Sequence, residues 1–150
     1  MAITEVREVL IEATPDEVMA VLLDMESLTE WSSAHQAIEI LERDAAGRPS
    51  RARQVVKIVG GVSDEQVLEY TFEDDGVSWT LVSSNQQRAQ SGRYTLMPQG
   101  GDSSTLVRFE LTVDLLMPLP GFLIRKGAQG GLMDTATKGL RKRTLEVRPA

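Results

Sequence analysis

The chain has 150 residues, a net charge of −6 and no cysteine. Chains of this length usually fold around one core, so we expect one domain over residues 1–150. The lack of cysteine excludes disulfides, thiolate zinc sites and cysteine nucleophiles, and the acidic balance disfavours nucleic acid as a partner.

Neither a signal peptide nor a membrane span is predicted. The first ten residues are interrupted by acidic side chains, and the longest uncharged apolar stretch, residues 115–124, contains two prolines. A spanning helix needs about 20 apolar residues. We therefore expect a cytoplasmic protein without stable membrane insertion. Transient membrane contact is left open by a basic end of the chain, whose charge equally complements a helix dipole: Lys138, Arg141, Lys142, Arg143 and Arg148.

The chain begins with a strand and a capped helix. Residues 4–12 alternate β-branched and charged side chains, which predicts a strand. Thr14, Pro15 and Glu17 then form the pattern of a helix start with a capping box. We expect this helix to end near Asp24 and a second short helix or turn to occupy residues 25–31.

Residues 33–115 predict six strands joined as a meander. Turn signals rich in Gly, Asn and Asp recur at residues 45–47, 60–61, 74–76, 84–85 and 100–101. Alternation is clearest in the last strand. One face carries Val107, Phe109, Leu111 and Val113, and the other carries Arg108, Glu110, Thr112 and Asp114.

Residues 120–147 have helical spacing. The predicted apolar stripe comprises Phe122, Ala128 or Gln129, Leu132, Ala136 and Leu140. Four glycines lie within this segment, Gly127, Gly130, Gly131 and Gly139, and each costs roughly 0.5–1 kcal/mol relative to alanine. These glycines are compatible with close packing of the helix against a sheet or with a break at residues 130–131. They are equally compatible with space for a ligand beside the helix, or with a kink that opens a cavity.

This order of elements resembles the helix-grip superfamily, which includes START-like and birch-pollen-allergen-like proteins. The resemblance is carried by residues 7–31, 64–82, 87–98 and 133–143, and is nearest to the actinobacterial branch of the polyketide cyclase/dehydrase family. It implies an α+β fold: a seven-stranded antiparallel sheet curved around a long C-terminal helix, with two short helices between strands one and two. It also implies a cavity for lipids, sterols, polyketides or plant-hormone-like molecules.

The candidate ligand-binding residues are mainly aromatic and apolar: Trp31, Tyr70, Trp79, Arg88, Gln90, Tyr94, Phe109, Leu111, Leu132 and Ala136. Trp31 resembles a position near the cavity mouth of the family. Buried tyrosine and tryptophan need partners for their polar tips, and a ligand could supply one. Core filling is the alternative for each aromatic residue.

The direction of Arg88 and Gln90 stays open at this stage. Both continue the alternation that places Gly92, Tyr94 and Leu96 on one face of the strand. If that face is internal, the side chains of Arg88 and Gln90 point toward one end of the cavity. Alternatively, this strand end lies beyond the rim and both are solvated. A bulge would shift the register and invert the assignment.

We expect neither a catalytic residue nor a metal or cofactor. His35 is the only histidine, so a histidine-based metal site is implausible, and we expect it at the surface. Ser32 and Ser33 lie too close to it in sequence to form a convincing nucleophile–base pair.

The leading functional hypothesis is binding or transport of a small hydrophobic ligand, such as a lipid, fatty acyl or polyketide-like molecule. The alternative is a polyketide cyclase/dehydratase-type enzyme acting on a ligand in the same cavity. A third hypothesis is an interaction protein whose cavity is filled by side chains. The sequence specifies neither the ligand nor the oligomeric state.

Overall fold

The computed structural model describes residues 2–57, 63–116 and 130–149. The seven strands in chain order are β1 (Ala2–Ile11), β2 (His35–Arg43), β3 (Pro49–Lys57), β4 (Ser63–Glu73), β5 (Gly76–Ser84), β6 (Gln87–Gln99) and β7 (Ser104–Leu115). Between β1 and β2 lie helix α1 (Pro15–Leu23), a 3₁₀ turn (Met25–Ser27) and helix α2 (Leu28–Trp31). Helix α3 comprises Gly130–Asp134, a π-helical turn at Thr135–Gly139, and Leu140–Val147. The predicted turn at residues 60–61, the start of the last helix, and Phe122, Gly127, Ala128 and Gln129 lie outside the described residues.

All seven strands form one antiparallel sheet in the order β1-β7-β6-β5-β4-β3-β2. Each strand from β2 to β6 is paired with its successor in sequence, which confirms the meander. The first strand pairs with the last, from Ala2 opposite Asp114 to Ile11 opposite Thr105. The predicted α+β fold, with two short helices between the first two strands, is therefore confirmed.

Helix α1 begins as the sequence predicts. The Thr14 side chain accepts a hydrogen bond from the backbone N–H of Glu17 at 3.1 Å, and the Glu17 carboxylate accepts one from the backbone N–H of Thr14 at 2.9 Å. These contacts satisfy N–H groups that have no partner inside the helix. The helix buries Val18, Val21 and Leu22, and it is capped at Asp24.

The buried face of the sheet points toward α3. On β7, Val107, Phe109, Leu111 and Val113 are buried, as their alternation predicts. From α3, the stripe residues Ala136 and Leu140 are buried, together with Met133. The Tyr94 hydroxyl joins the two layers by donating a hydrogen bond to the backbone oxygen of Ala136 at 2.8 Å.

The irregularity in the glycine-rich helix is the π turn, which the sequence did not predict. Such turns are rare and add a residue to the helical repeat. Thr137, within the turn, donates its hydroxyl to the backbone oxygen of Met133 at 2.7 Å. Gly139 ends the turn, and a methyl group there would lie 3.5 Å from Trp31, an ordinary contact distance. Among the described residues, no helix is long and apolar enough to span a membrane.

Candidate ligand-binding cavity

A cavity of about 100 Å³ lies between the sheet and the helices. Nine of the ten candidate residues form part of its wall: Trp31, Tyr70, Trp79, Gln90, Tyr94, Phe109, Leu111, Leu132 and Ala136. Further apolar wall residues are Val21, Leu22, Met25, Leu28, Val56, Leu68, Phe72 and Val77. Three polar wall residues, Ser32, His35 and Gln54, were not among the candidates.

An aromatic cluster forms the floor of the cavity around Trp79. Its ring centroid lies 6.0 Å from Tyr70, 5.8 Å from Tyr94 and 5.9 Å from Phe109, and the planes are tilted. These separations and tilts are typical of favourable aromatic pairs. Gly92 on β6 makes the position of the indole possible, because a Cβ there would lie 2.2 Å from two indole carbons.

Arg88 lies outside the cavity, so its alternative placement at a solvated strand end is the one observed. Its side chain is 63% exposed, and its guanidinium lies 3.9 Å from Asp114. The pairing of β6 with β7 shifts register between Gln87 and Ala89. Because of this shift, Gln87 is buried, Gln90 lines the cavity, and Arg88 faces solvent. The interpretation that turned Arg88 inward together with Gln90 was wrong for Arg88.

A hydrogen-bonded chain leads from the aromatic floor to a buried carboxylate. The indole N–H of Trp79 donates to the Gln90 side-chain oxygen at 3.0 Å. The Gln90 amide donates to the side-chain oxygens of Gln87 at 2.8 Å and Gln66 at 3.2 Å. The Gln87 amide in turn donates to Asp64 at 2.7 Å. The polar atoms of Gln90 are thus used within the protein.

Asp64 is fully buried and is held by neutral donors. Its carboxylate accepts hydrogen bonds from the Ser84 hydroxyl at 2.7 and 2.8 Å and from the backbone N–H groups of Asn85 and Gln86, each at 3.1 Å. A buried carboxyl group needs hydrogen-bond partners, and these donors supply them. Asp64 therefore fixes the turn between β5 and β6. No group of metal-ligating side chains occurs among the described residues.

A second polar group lies beside the first, since Gln54 on β3 is paired with Gln66 on β4, and it was missed from the sequence. The Ser32 hydroxyl and His35 Nδ1 are 2.6 Å apart, and the Gln54 side-chain amide donates to the Tyr70 hydroxyl. The chain reverses after α2, where the backbone N–H of His35 donates to the oxygen of Ser32 at 3.2 Å. This reversal brings the Ser32 and His35 side chains into contact in the cavity wall, so the expectation of a surface histidine was wrong, and their short separation in sequence does not prevent the contact.

Burial determines the protonation states of this group. Desolvation lowers the pKa of His35 to about 4, against the opposing effect of a hydrogen bond with the Gln54 side chain, so the ring is neutral at pH 7. Desolvation also raises the pKa of the Tyr70 and Tyr94 hydroxyls, which remain protonated. The described wall thus contains polar groups but no charge. The sequence did contain a signal for Gln54: it alternates with the apolar residues Ala52 and Val56 on β3, which places its side chain on the same inward face.

The sequence profile of the family described as polyketide cyclase/dehydrase and lipid transport matches residues 3–146. Solved structures with the same fold include a START superfamily protein from Mycobacterium smegmatis, with 25% identity and a TM-score of 0.85 over 97% of this chain and 99% of that one. The Zhui aromatase/cyclase from Streptomyces sp. R1128 has 12% identity and a TM-score of 0.80 over 99% of this chain and 97% of that one. A protein from Thermus thermophilus has 23% identity and a TM-score of 0.79 over 98% of this chain and all of that one. No curated protein sequence matches significantly.

Proposed function

The chain belongs to the polyketide cyclase/dehydrase and lipid transport family, and we propose that it binds a small hydrophobic ligand between the sheet and α3. The observation that carries this proposal is the cavity itself, with apolar walls and a few uncharged polar groups. Sites for small molecules are typically concave and apolar, and a small number of polar groups orient the ligand.

The size of the cavity indicates the size of its occupant. Its volume of about 100 Å³ approaches that of apolar protein cavities of ~150 Å³ that bind benzene. The cavity is partly open, so a larger ligand can extend outward. Burial of apolar surface contributes about 25 cal/mol per Å². We expect micromolar dissociation constants for compact apolar probes, equivalent to about −8 kcal/mol.

A fluorescence titration with 2-ethylnaphthalene tests the proposal. Leu132→Trp places a large ring in the cavity wall and should weaken binding at least tenfold. Glu146→Trp adds the same ring at an exposed position of the same helix and should leave binding unchanged. Absence of binding by wild-type protein, or equal binding by both variants, would contradict the proposal. The first result would favour an interaction protein.

The Ser32–His35 pair supports a second candidate, a cyclase- or dehydratase-type enzyme. A neutral imidazole can accept the Ser32 hydroxyl proton while that oxygen takes a proton from a bound ligand, and a positioned histidine is a common general base. Under this candidate, the protein converts a bound polyketide-like substrate, and His35→Ala abolishes turnover while the substrate still binds. Capture of the ligand without chemical change would favour the binding protein.

A further inference from the structure

We propose that the ligand carries an uncharged hydrogen-bond acceptor of the carbonyl type, which accepts the hydroxyl proton of Tyr70, and that the cavity excludes carboxylates. This inference rests on the proposed binding function of the cavity. It narrows the ligand class from any hydrophobic molecule to neutral molecules with an acceptor beside an apolar body.

The first step is the direction of the hydrogen bonds around Tyr70. The Gln54 amide nitrogen donates to the Tyr70 hydroxyl oxygen, which leaves the Gln54 side-chain oxygen to accept from His35. A neutral ring has one proton, and because His35 donates it to Gln54, the Nδ1 that Ser32 contacts is an acceptor and Ser32 donates to it. The chain of hydrogen bonds therefore runs from Ser32 through His35 and Gln54 to Tyr70, and the Tyr70 hydroxyl proton is at its end.

The second step is the proton of that last group. A tyrosine hydroxyl has one proton to donate. Tyr94 gives its proton to the backbone oxygen of Ala136 at 2.8 Å. Tyr70 receives a hydrogen bond from Gln54, but no acceptor for its own proton occurs among residues 2–57, 63–116 and 130–149. Tyr70 lines the cavity, and a buried donor without an acceptor is costly. A ligand oxygen would remove that cost.

The third step is the absence of a compensating charge. The polar side chains of the described wall are Ser32, His35, Gln54, Tyr70, Trp79, Gln90 and Tyr94, and none of them carries a positive charge at neutral pH. The nearest acidic group in the polar chain is Asp64, behind Gln87. An ionised carboxylate that is buried in such a wall without a cation is strongly disfavoured.

Three probes of nearly equal shape separate these effects: 2-acetylnaphthalene, 2-ethylnaphthalene and 2-naphthoate, titrated by fluorescence at pH 7.5. Wild-type protein should bind the ketone about tenfold more tightly than the hydrocarbon, as one buried hydrogen bond predicts. The carboxylate should bind at least tenfold more weakly than the ketone. Tyr70→Phe should remove the preference for the ketone and retain binding of the hydrocarbon.

Tyr94→Phe is the matched variant, because the hydroxyl that it lacks is bound to Ala136. It should affect the ketone and the hydrocarbon alike and leave their affinity ratio unchanged. If Tyr70→Phe does not fold, the infrared carbonyl band of 2-acetylnaphthalene bound to the wild-type protein replaces it. A hydrogen bond from Tyr70 should shift that band to lower frequency than in a hydrocarbon solvent.

The outcomes distinguish this inference from the proposed function. Equal affinity for ketone and hydrocarbon, a ketone preference that survives Tyr70→Phe, an unshifted carbonyl band, or naphthoate binding as tightly as the ketone would overturn the inference alone. Failure of all three probes to bind would contradict the binding function itself.

Discussion

At the scale of single residues, the desolvation of the half-buried His35 ring makes the free energy of unfolding dependent on pH. Its folded pKa of about 4 lies below its ordinary value of 6.5, so the unfolded chain binds more protons between these values. The neutral ring therefore makes its full contribution to the free energy of unfolding above about pH 6.5, and this contribution is lost as the pH falls toward 4. Because the residue is partly exposed, we expect a loss of about 1–3 kcal/mol. Urea denaturation at pH 6.5, 5.5 and 4.5 measures it.

The control for this pH dependence is His35→Gln, which has no proton to gain in this range. Its unfolding free energy should fall less steeply over the same pH values than that of the wild type. Identical slopes for the two proteins would show that carboxylates alone cause the acid sensitivity.

Asp64 gives a second prediction at this scale. Asp64→Ala removes the acceptor for Ser84, Gln87 and two backbone N–H groups, and it leaves buried donors unpaired. We expect a loss of about 2–4 kcal/mol in the free energy of unfolding, measured by chemical denaturation. Glu73→Ala, on an exposed position of the same strand, should change it by less than about 0.5 kcal/mol. Equal effects of the two substitutions would contradict the anchoring role of Asp64.

The sequence predicted single residues well where strand alternation is regular and poorly where it is interrupted. Phe109, Leu111 and Tyr94 lie in uninterrupted alternating runs and reach the cavity wall as predicted. Arg88 does not, because one register shift reverses its direction. His35 was missed because its environment depends on how the chain turns after α2, which side-chain alternation does not encode.

At the scale of elements, Gly92 links β6 to the aromatic floor. Gly92→Ala would place a methyl group 2.2 Å from the indole of Trp79, so the ring must move and its hydrogen bond to Gln90 must break. We expect a loss of about 1–3 kcal/mol and altered tryptophan fluorescence. Gly139→Ala in α3 meets its nearest neighbour at 3.5 Å and should be neutral or stabilising by up to about 1 kcal/mol. Equal destabilisation by both would refute this explanation.

The elements differ in how far local sequence determines them. The start of α1 was predicted because its capping residues are three positions apart and satisfy each other. The π turn in α3 was not predicted from its own residues, and within it the oxygen of Ala136 accepts a hydrogen bond from Tyr94, 42 positions away. Such a contact between distant segments leaves little local signal in the sequence of the helix.

At the scale of the whole molecule, ligand binding should stabilise the fold. The cavity wall combines residues from α1, α2, α3 and strands β2 to β7, so unfolding destroys the site and a ligand binds only the folded state. At a free concentration of 100 times its dissociation constant, 2-ethylnaphthalene should add about 2.7 kcal/mol to the free energy of unfolding. Thermal unfolding measures this as a higher Tm. The Leu132→Trp variant should show little shift, and an equal shift in that variant would indicate binding elsewhere.

The overall arrangement was more predictable than the site. Turn signals and alternation specify the number and order of strands, and few arrangements can bury one face of such a meander under a helix. The pairing of β1 with β7 follows from the same requirement, together with the family resemblance. The polar groups of the cavity depend instead on side-chain contacts between distant segments, such as Gln54 with Tyr70 and Asp64 with Gln87.

The burial of Asp64 also has a consequence for hydrogen exchange. Turn amides normally exchange rapidly with solvent, yet the N–H groups of Asn85 and Gln86 both donate to a carboxylate at the start of β4. These two amides can exchange only when β4 separates from the turn. Deuterium uptake followed by NMR should therefore show them protected together with the amides of β4. Uptake as fast as at Gly101 in the next turn would show that the turn opens independently.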